Sequence, residues 1–282
     1  MNDCCASSPA PDKATVSTDA TLPSYIMRPG VTFPDWSVVT SPTVRDALQT
    51  MVSSGHVLER WSGYEAAADR VRVALLQLYV ELGQAPTTDV LAQRAGLSEE
   101  SVRPLLKELR RRDLAILDGD TITGAYPFTE RDTGHRVTLD ARTLKAMCAV
   151  DALGVGDMTG RDIAVESRCR HCGTPVKITT QDRGRALADI APDTAVAWLS
   201  VRYEDGCAAS SLCTATSFFC SDDHLAAWRH AQPADKTGYR LTIEEALEAG
   251  RAIFAPSLAG VGAIAGHDDD GTKTRDRAES GN

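Results

Sequence analysis

Apolar residues recur at steps of three and four positions between residues 64 and 110, a spacing typical of amphipathic helices. Ser98 has the character of an N-cap for the last of these helices, because the apolar run begins just after it. Short apolar runs then flank an Asp-Gly-Asp turn at residues 118–120, which predicts a β-hairpin. Three helices and a hairpin predict a winged helix-turn-helix domain, which we assign to residues 41–128.

Beyond residue 129 the chain contains both the two-residue period of strands and the three- to four-residue period of helices. Alternating apolar and polar positions predict strands over His135–Leu139, Val176–Thr180, Ala195–Tyr203 and Leu212–Phe219. Helical spacing predicts helices over Ala141–Leu153, Asp223–His230 and Thr242–Ile253. We therefore predict an α+β fold, in which a domain at residues 129–258 has a mixed or mostly antiparallel sheet and packs against the winged-helix module.

The two ends of the chain lack such patterns. Residues 1–40 are rich in Ser, Thr, Pro and Ala, and residues 267–282 are almost wholly polar, so we expect disorder in both. The longest weakly polar stretch, residues 252–266, is too short for a membrane span, and residues 1–13 lack the pattern of a secretory signal. We therefore expect a cytoplasmic protein without a membrane partner.

The charge of the chain limits its interaction with nucleic acids. The net charge of −9 and the 5% aromatic content argue against a surface built to bind phosphates or to stack on single strands. Arg103 and Lys107 give the predicted recognition helix a basic face, but Glu99 and Glu100 in its first turn would repel a duplex. DNA is therefore not the expected partner, and we favour a packing role for this module.

Three residues carry the most specific chemistry. Cys148 and Asp151 stand three positions apart, so a helix would place the thiol and the carboxyl group on one face, where they can exchange a proton. Cys213 lies in a predicted strand, on which Cys220 would point to the opposite face. The sequence leaves open which of these two thiols faces Cys148.

The remaining cysteines have no clear partners in the sequence. Cys169 and Cys172 have the spacing of half a zinc site, and Cys207 is the only distant residue that we consider as a further ligand. A structural zinc and a pair of free thiols both stay open. We assign no role to Cys4, Cys5, Cys207 or Cys220, and we place His224 on an exposed helix.

Residues 145–153, 167–176 and 211–219 together resemble the organomercurial lyase family (alkylmercury lyase, MerB) in order and spacing. The resemblance covers residues 64–255 and implies that a winged-helix-like module packs on a lyase domain. It implies that Cys148, Asp151 and Cys213 are catalytic and contact mercury, and that Cys169 is structural. Met147 and Thr214 depart from residues that some members have beside the catalytic cysteines.

The resemblance implies protonolysis of the carbon–mercury bond of an organomercurial substrate, with Hg(II) as bound product. Thiolates are the preferred protein ligands of this soft ion, and a neighbouring acid can protonate the carbon. No cofactor is expected. Cellular thiols would be needed for turnover, with a mercuric reductase as a further acceptor of Hg(II). Two alternatives stay open: a transcription regulator that senses a soft metal through Cys148 and Cys213, and a metal-binding protein without catalysis.

Overall fold

The computed structural model describes residues 22–55, 59–232 and 237–261. The first part of the chain contains β1 (Tyr25–Arg28), β2 (Val31–Phe33), α1 (Pro42–Gly55), α2 (Ala66–Leu82), α3 (Thr88–Ala95), α4 (Glu99–Arg111), β3 (Ile116–Asp118), β4 (Thr121–Ala125) and β5 (Phe128–Thr129). The predicted helices and hairpin are present. Ser98 is the N-cap of α4, since its side chain accepts a hydrogen bond from the backbone N–H of Ser101.

The second part of the chain carries the largest sheet. Its elements are β6 (Arg136–Leu139), β7 (Arg142–Lys145), α5 (Ala149–Thr159), β8 (Ala164–Arg168), β9 (Pro175–Gln181), β10 (Ala186–Ala191), β11 (Val196–Ser200), α6 (Leu212–Ala215), β12 (Ser217–Phe219), α7 (Asp222–His230), β13 (Gly238–Thr242) and α8 (Ile243–Leu258). Five strands form one sheet in the order β10-β9-β8-β6-β7, and three form another in the order β12-β11-β13. Every strand pair in both sheets is antiparallel. The predicted combination of helices with an antiparallel sheet is confirmed.

The predicted disorder of residues 1–40 is wrong for residues 25–38. This segment forms β1, β2 and a short 3-10 helix at Trp36–Val38, and it packs on α8. The backbone N–H of Asp35 donates to the carbonyl of Ala252 at 2.8 Å, and Arg28 donates to the carbonyl of Ala259 at 2.7 Å. These contacts join positions more than 200 residues apart, so local composition could not indicate them. Residues 1–21 and the predicted tail at 267–282 lie outside the described residues.

Two predicted elements have a different structure. The first half of the helix expected at Ala141–Leu153 is strand β7, which pairs with β6 through a turn at Asp140, where the backbone φ is +52°. Helix α5 therefore begins only at Ala149. The strand expected at Leu212–Phe219 begins as helix α6, and its extended part is confined to β12. Both differences move catalytic candidates onto helix ends.

Helices α5 and α8 cross so closely that glycine is needed at the contact. A Cβ at Gly154 would lie 2.5 Å from the Phe254 ring and 2.8 Å from the carbonyl oxygen of Gly250. The first eight residues of α5 are all buried, so neighbouring parts of the chain surround this portion of the helix on all faces. Among the residues that the structure describes, no helix has the length and apolar character to cross a membrane.

Gly154→Ala is expected to lower the free energy of unfolding by about 1–3 kcal/mol, because the added methyl group overpacks the contact between the two helices. Helix propensity alone would change stability in the opposite direction by about 1 kcal/mol. Urea unfolding of both proteins measures the difference. A variant as stable as the parent would show that this contact can relax.

Candidate active site

Cys148 lies at the start of α5, as the N-cap residue. Its backbone is extended, with φ −153° and ψ −179°, and its Sγ accepts a hydrogen bond from the backbone N–H of Asp151 at 3.4 Å. The thiol therefore faces the positive end of the helix, where a thiolate is stabilised. The sequence predicted the proximity of Cys148 and Asp151, but the cause is a helix cap and not a shared helix face.

Cys213 contacts the same carboxyl group from a position 62 residues further along the chain. It lies in the short helix α6, where its backbone N–H donates to the carbonyl of Ala208 at 2.8 Å. Its Sγ donates a hydrogen bond to Oδ2 of Asp151 at 3.5 Å. One ligand atom from each of Cys148, Asp151 and Cys213 lies within 4.8 Å of the others, so the structure brings the three predicted residues together. Cys220 lies elsewhere, beyond the end of β12.

Burial controls the protonation of these three groups, whose residues are between 2% and 6% exposed. Desolvation raises the pKa of the Asp151 carboxyl from 3.8 to about 6, against hydrogen bonds from both cysteines that lower it. Desolvation also raises the pKa of the Cys148 thiol to about 11. The pKa of Cys213 is raised by its hydrogen bond with Cys148 and by burial. Near neutral pH the site therefore holds two thiols beside a carboxyl group that can both accept and donate a proton.

The walls around the three groups are apolar. A pocket at the site is lined by Trp61, Tyr126, Phe254, Leu199 and Ile253, together with the two cysteines and Asp151. Trp61 comes from the N-terminal part of the chain, and its ring lies 5.6 Å from that of Tyr126 and 6.2 Å from that of Phe254. Such a pocket suits a hydrocarbon group and excludes water from the reacting atoms.

A buried hydrogen-bond network that the sequence did not predict supports the segment before Cys213. The carboxylate of Asp113 accepts hydrogen bonds from the backbone N–H of Ala208 at 2.8 Å and from the hydroxyl of Tyr126 at 2.9 Å. The same hydroxyl oxygen accepts from the backbone N–H of Ala209 at 2.7 Å. Asp113 follows a run of arginines, has a backbone φ of +56° and is only 3% exposed. Burial raises the pKa of Asp113 to about 8.

The pKa of Asp151 predicts a change in stability with pH. Because the folded state favours the protonated carboxyl group, its contribution is complete below the ordinary pKa of 3.8 and is lost as the pH rises through about 6. Two pKa units correspond to about 3 kcal/mol. Relative to Asp151→Asn, the parent should therefore lose about 3 kcal/mol of unfolding free energy between about pH 4 and pH 7.

Urea unfolding of both proteins at several pH values tests this expectation. Asp113 is common to both proteins, so its titration cancels in the difference. Stability curves that run parallel across this range would show that Asp151 has an ordinary pKa in the folded protein.

Two thiols and one acid converging in an apolar pocket define a class of protein that binds a soft metal and can transfer a proton beside it. Comparison with known proteins agrees with this description. Residues 128–255 match the family model described as MerB, alkylmercury lyase. An alkylmercury lyase of Staphylococcus epidermidis is 29% identical over 182 residues, which cover 64% of this chain and 80% of the relative. An alkylmercury lyase of Streptomyces lividans is 27% identical over 186 residues, or 66% and 82% of the two chains.

A crystal structure of the mercury-bound form of MerB2 has the same fold. It superposes with a TM-score of 0.60 at 23% sequence identity, covering 78% of this chain and all of that one. Residues 128–255 are therefore similar to alkylmercury lyases in sequence, and the chain shares the fold of MerB2.

Proposed function

We propose that this chain is an organomercurial lyase, which cleaves the carbon–mercury bond of alkyl and aryl mercury compounds and yields a hydrocarbon and Hg(II). The observation that carries the proposal is the convergence of Cys148, Cys213 and Asp151, whose ligand atoms lie within 4.8 Å of one another. Two thiols suit a soft metal ion, and the third group holds a transferable proton.

Capture of the substrate is assigned to Cys148. In the cell the substrate R–Hg⁺ is carried by a small thiol, and Cys148 replaces that thiol by ligand exchange. The Cys148 proton leaves on the displaced thiol, and a Cys148–S–Hg–R adduct forms. The backbone N–H of Asp151, at 3.4 Å from Sγ, stabilises the negative charge that develops on sulfur during the exchange.

Cleavage uses the proton of Cys213. This thiol donates a hydrogen bond to Oδ2 of Asp151, so the carboxylate is placed to remove its proton as the Cys213 sulfur bonds to mercury. Two sulfur ligands increase the electron density on carbon, and the protonated Asp151 then transfers the proton to it. The carbon–mercury bond breaks, R–H leaves, and Hg(II) stays bound to both sulfurs.

Product release needs an external acceptor, because two buried thiolates hold Hg(II) firmly. We assign this role to cellular thiols, with a mercuric reductase as a further acceptor, and we place the reaction in the cytoplasm. The proposed reaction requires no cofactor.

The N-terminal helices and hairpin are proposed to form a winged-helix-like module at residues 41–128, which packs on the lyase domain at 129–258. Its basic side chains support packing over DNA binding. Arg103 pairs with Glu99 at 3.2 Å and with Asp120 at 3.3 Å, so its charge is already balanced. Trp61 belongs to this module and lines the pocket around the three reacting groups, so packing of the two parts completes the proposed active site.

The test is incubation of the purified protein with phenylmercury and excess thiol, with benzene measured in the headspace. We expect many equivalents of benzene per chain, and the same yield from an Arg103→Gln/Lys107→Gln control. Absence of benzene, together with a DNA fragment shift that this control abolishes, would instead support the transcription regulator.

A further inference from the structure

A second group of metal-ligating side chains lies outside the proposed active site. Cys169, Cys172, Cys220 and His224, which we call the distal cluster, each offer one ligand atom within 4.8 Å of the others. The Cys220 Sγ lies 2.9 Å from Nδ1 of His224 and 3.7 Å from the Cys172 Sγ. The Cys169 Sγ lies 3.8 Å from the same His224 nitrogen.

The first two ligands are held by a tight turn between β8 and β9. The backbone N–H of Cys169 donates to the carbonyl of Thr174 at 2.8 Å, and that of Gly173 donates to the carbonyl of Cys169 at 2.8 Å. Gly173 has a φ of +76°, a left-handed conformation that favours glycine. The turn therefore directs both thiols of the Cys-x-x-Cys segment to one side.

The other two ligands come from the junction of β12 and α7. Cys220 directly follows β12, and His224 lies in the first turn of α7, four residues later. Ser221 caps this helix by accepting a hydrogen bond from the backbone N–H of His224, which fixes the position of the histidine. The helix predicted as exposed carries His224 half-buried against the cluster. The only distant ligand considered from the sequence, Cys207, is not part of the cluster.

The ligand types and the Cys172–Cys220 sulfur–sulfur distance of 3.7 Å match one kind of metal centre. In a tetrahedral zinc site with zinc–sulfur bonds of about 2.3 Å, neighbouring sulfurs lie about 3.8 Å apart, and Cys₃His is a common structural ligand set. The protein supplies all four positions, so no site is left for a substrate.

We propose that the distal cluster binds one Zn²⁺ as a structural site. The ion would join the β8–β9 turn to the end of β12. Cys213 precedes this strand and Cys220 follows it, so few residues along the chain separate the proposed active site from the distal cluster. A small apolar cluster containing Trp198, Phe219 and Trp228 lies beside the distal cluster and is separate from the main core. A metal at this edge would stabilise a region that has little apolar volume of its own.

The experiment uses the full chain with Cys4, Cys5, Cys148 and Cys213 changed to Ser, so that the proposed active site and the N-terminal thiols cannot bind zinc. This background protein is purified under reducing conditions from zinc-supplemented medium, and its metal content is measured by mass spectrometry. We expect one zinc per chain. Cobalt substitution should give thiolate-to-metal charge-transfer absorption and the intense visible bands of a tetrahedral ion.

Further substitutions in this background locate the ion. Cys220→Ser and His224→Ala should each remove the zinc or weaken its binding by at least tenfold, whereas His230→Ala, at the exposed end of the same helix, should retain it. Zinc that persists in both ligand variants, or a background protein without zinc, would overturn the proposal. A Cys172–Cys220 disulfide in the reduced preparation, detected in peptide digests, would also overturn it.

A ligand variant that fails to fold leaves the background protein as the test. Removing zinc from it with a chelator should lower the melting temperature, and adding zinc back should restore both the temperature and the metal content. An unchanged melting temperature after complete removal would contradict a structural role. Because the background lacks the lyase thiols, these outcomes are independent of the proposed catalytic function.

Discussion

Replacing Asp151 with Asn should reduce hydrocarbon release by about 10²–10⁴-fold, the range typical of a lost general acid or base, while mercury remains bound. The amide has the shape of the carboxyl group, but it can neither remove the Cys213 proton nor deliver a proton to carbon. Both sulfur ligands are unchanged, so the affinity for Hg(II) should stay close to that of the parent.

Benzene release from phenylmercury and equilibrium binding of Hg(II) measure the two effects separately. Asp118→Asn is the matched control, since it makes the same change at an exposed position. Turnover by Asp151→Asn at the parent rate would show that another group supplies the proton.

Replacing either cysteine with Ser is the second large effect expected. Cys148→Ser and Cys213→Ser should each lower multiple turnover on the order of 10³-fold or more, as removal of a reacting group does in other enzymes. A hydroxyl is a hard ligand for a soft ion, so both variants should also retain Hg(II) more weakly.

The order of steps predicts a difference between the two variants. Cys213→Ser should still form a phenylmercury adduct on Cys148 that keeps its phenyl group, whereas Cys148→Ser should capture substrate poorly. Intact-protein mass spectrometry distinguishes these products. Thr214→Ser is the control, because it alters the exposed neighbour of Cys213 on the same helix. If only the Cys148→Ser variant retained an adduct with its phenyl group, Cys213 would be the thiol that captures the substrate and Cys148 the thiol that supplies the proton.

The sequence indicated the reacting groups better than their local structure. The spacing of Cys148 and Asp151, together with the resemblance around Cys213, identified three residues that the structure brings within 4.8 Å. The cap at Cys148 could not be predicted, because β7 replaces the first half of the expected helix only through its pairing with β6. The two strands form a local hairpin, whose turn at Asp140 and Ala141 lacks the glycine that usually marks such a turn in a sequence.

The long-range partners were missed for another reason. Cys220 and His224 join Cys169 and Cys172 only after the β8–β9 turn has packed on the end of β12. Their spacing of four residues was no usable signal, because Cys220 precedes the N-cap Ser221 and does not share a helix face with His224. Asp113 and Tyr126 offered no signal either, because their hydrogen bonds to Ala208 and Ala209 span more than 80 residues.

The most direct test of the central claim is a single turnover with one equivalent of phenylmercury and no external thiol. The account predicts one equivalent of benzene and a chain whose mass increases by one mercury atom less two hydrogen atoms. Digestion should then recover the peptides of Cys148 and Cys213 joined through that mercury. Benzene released equally by a Cys148→Ser/Cys213→Ser chain, or mercury bound to both cysteines with its phenyl group intact, would contradict it.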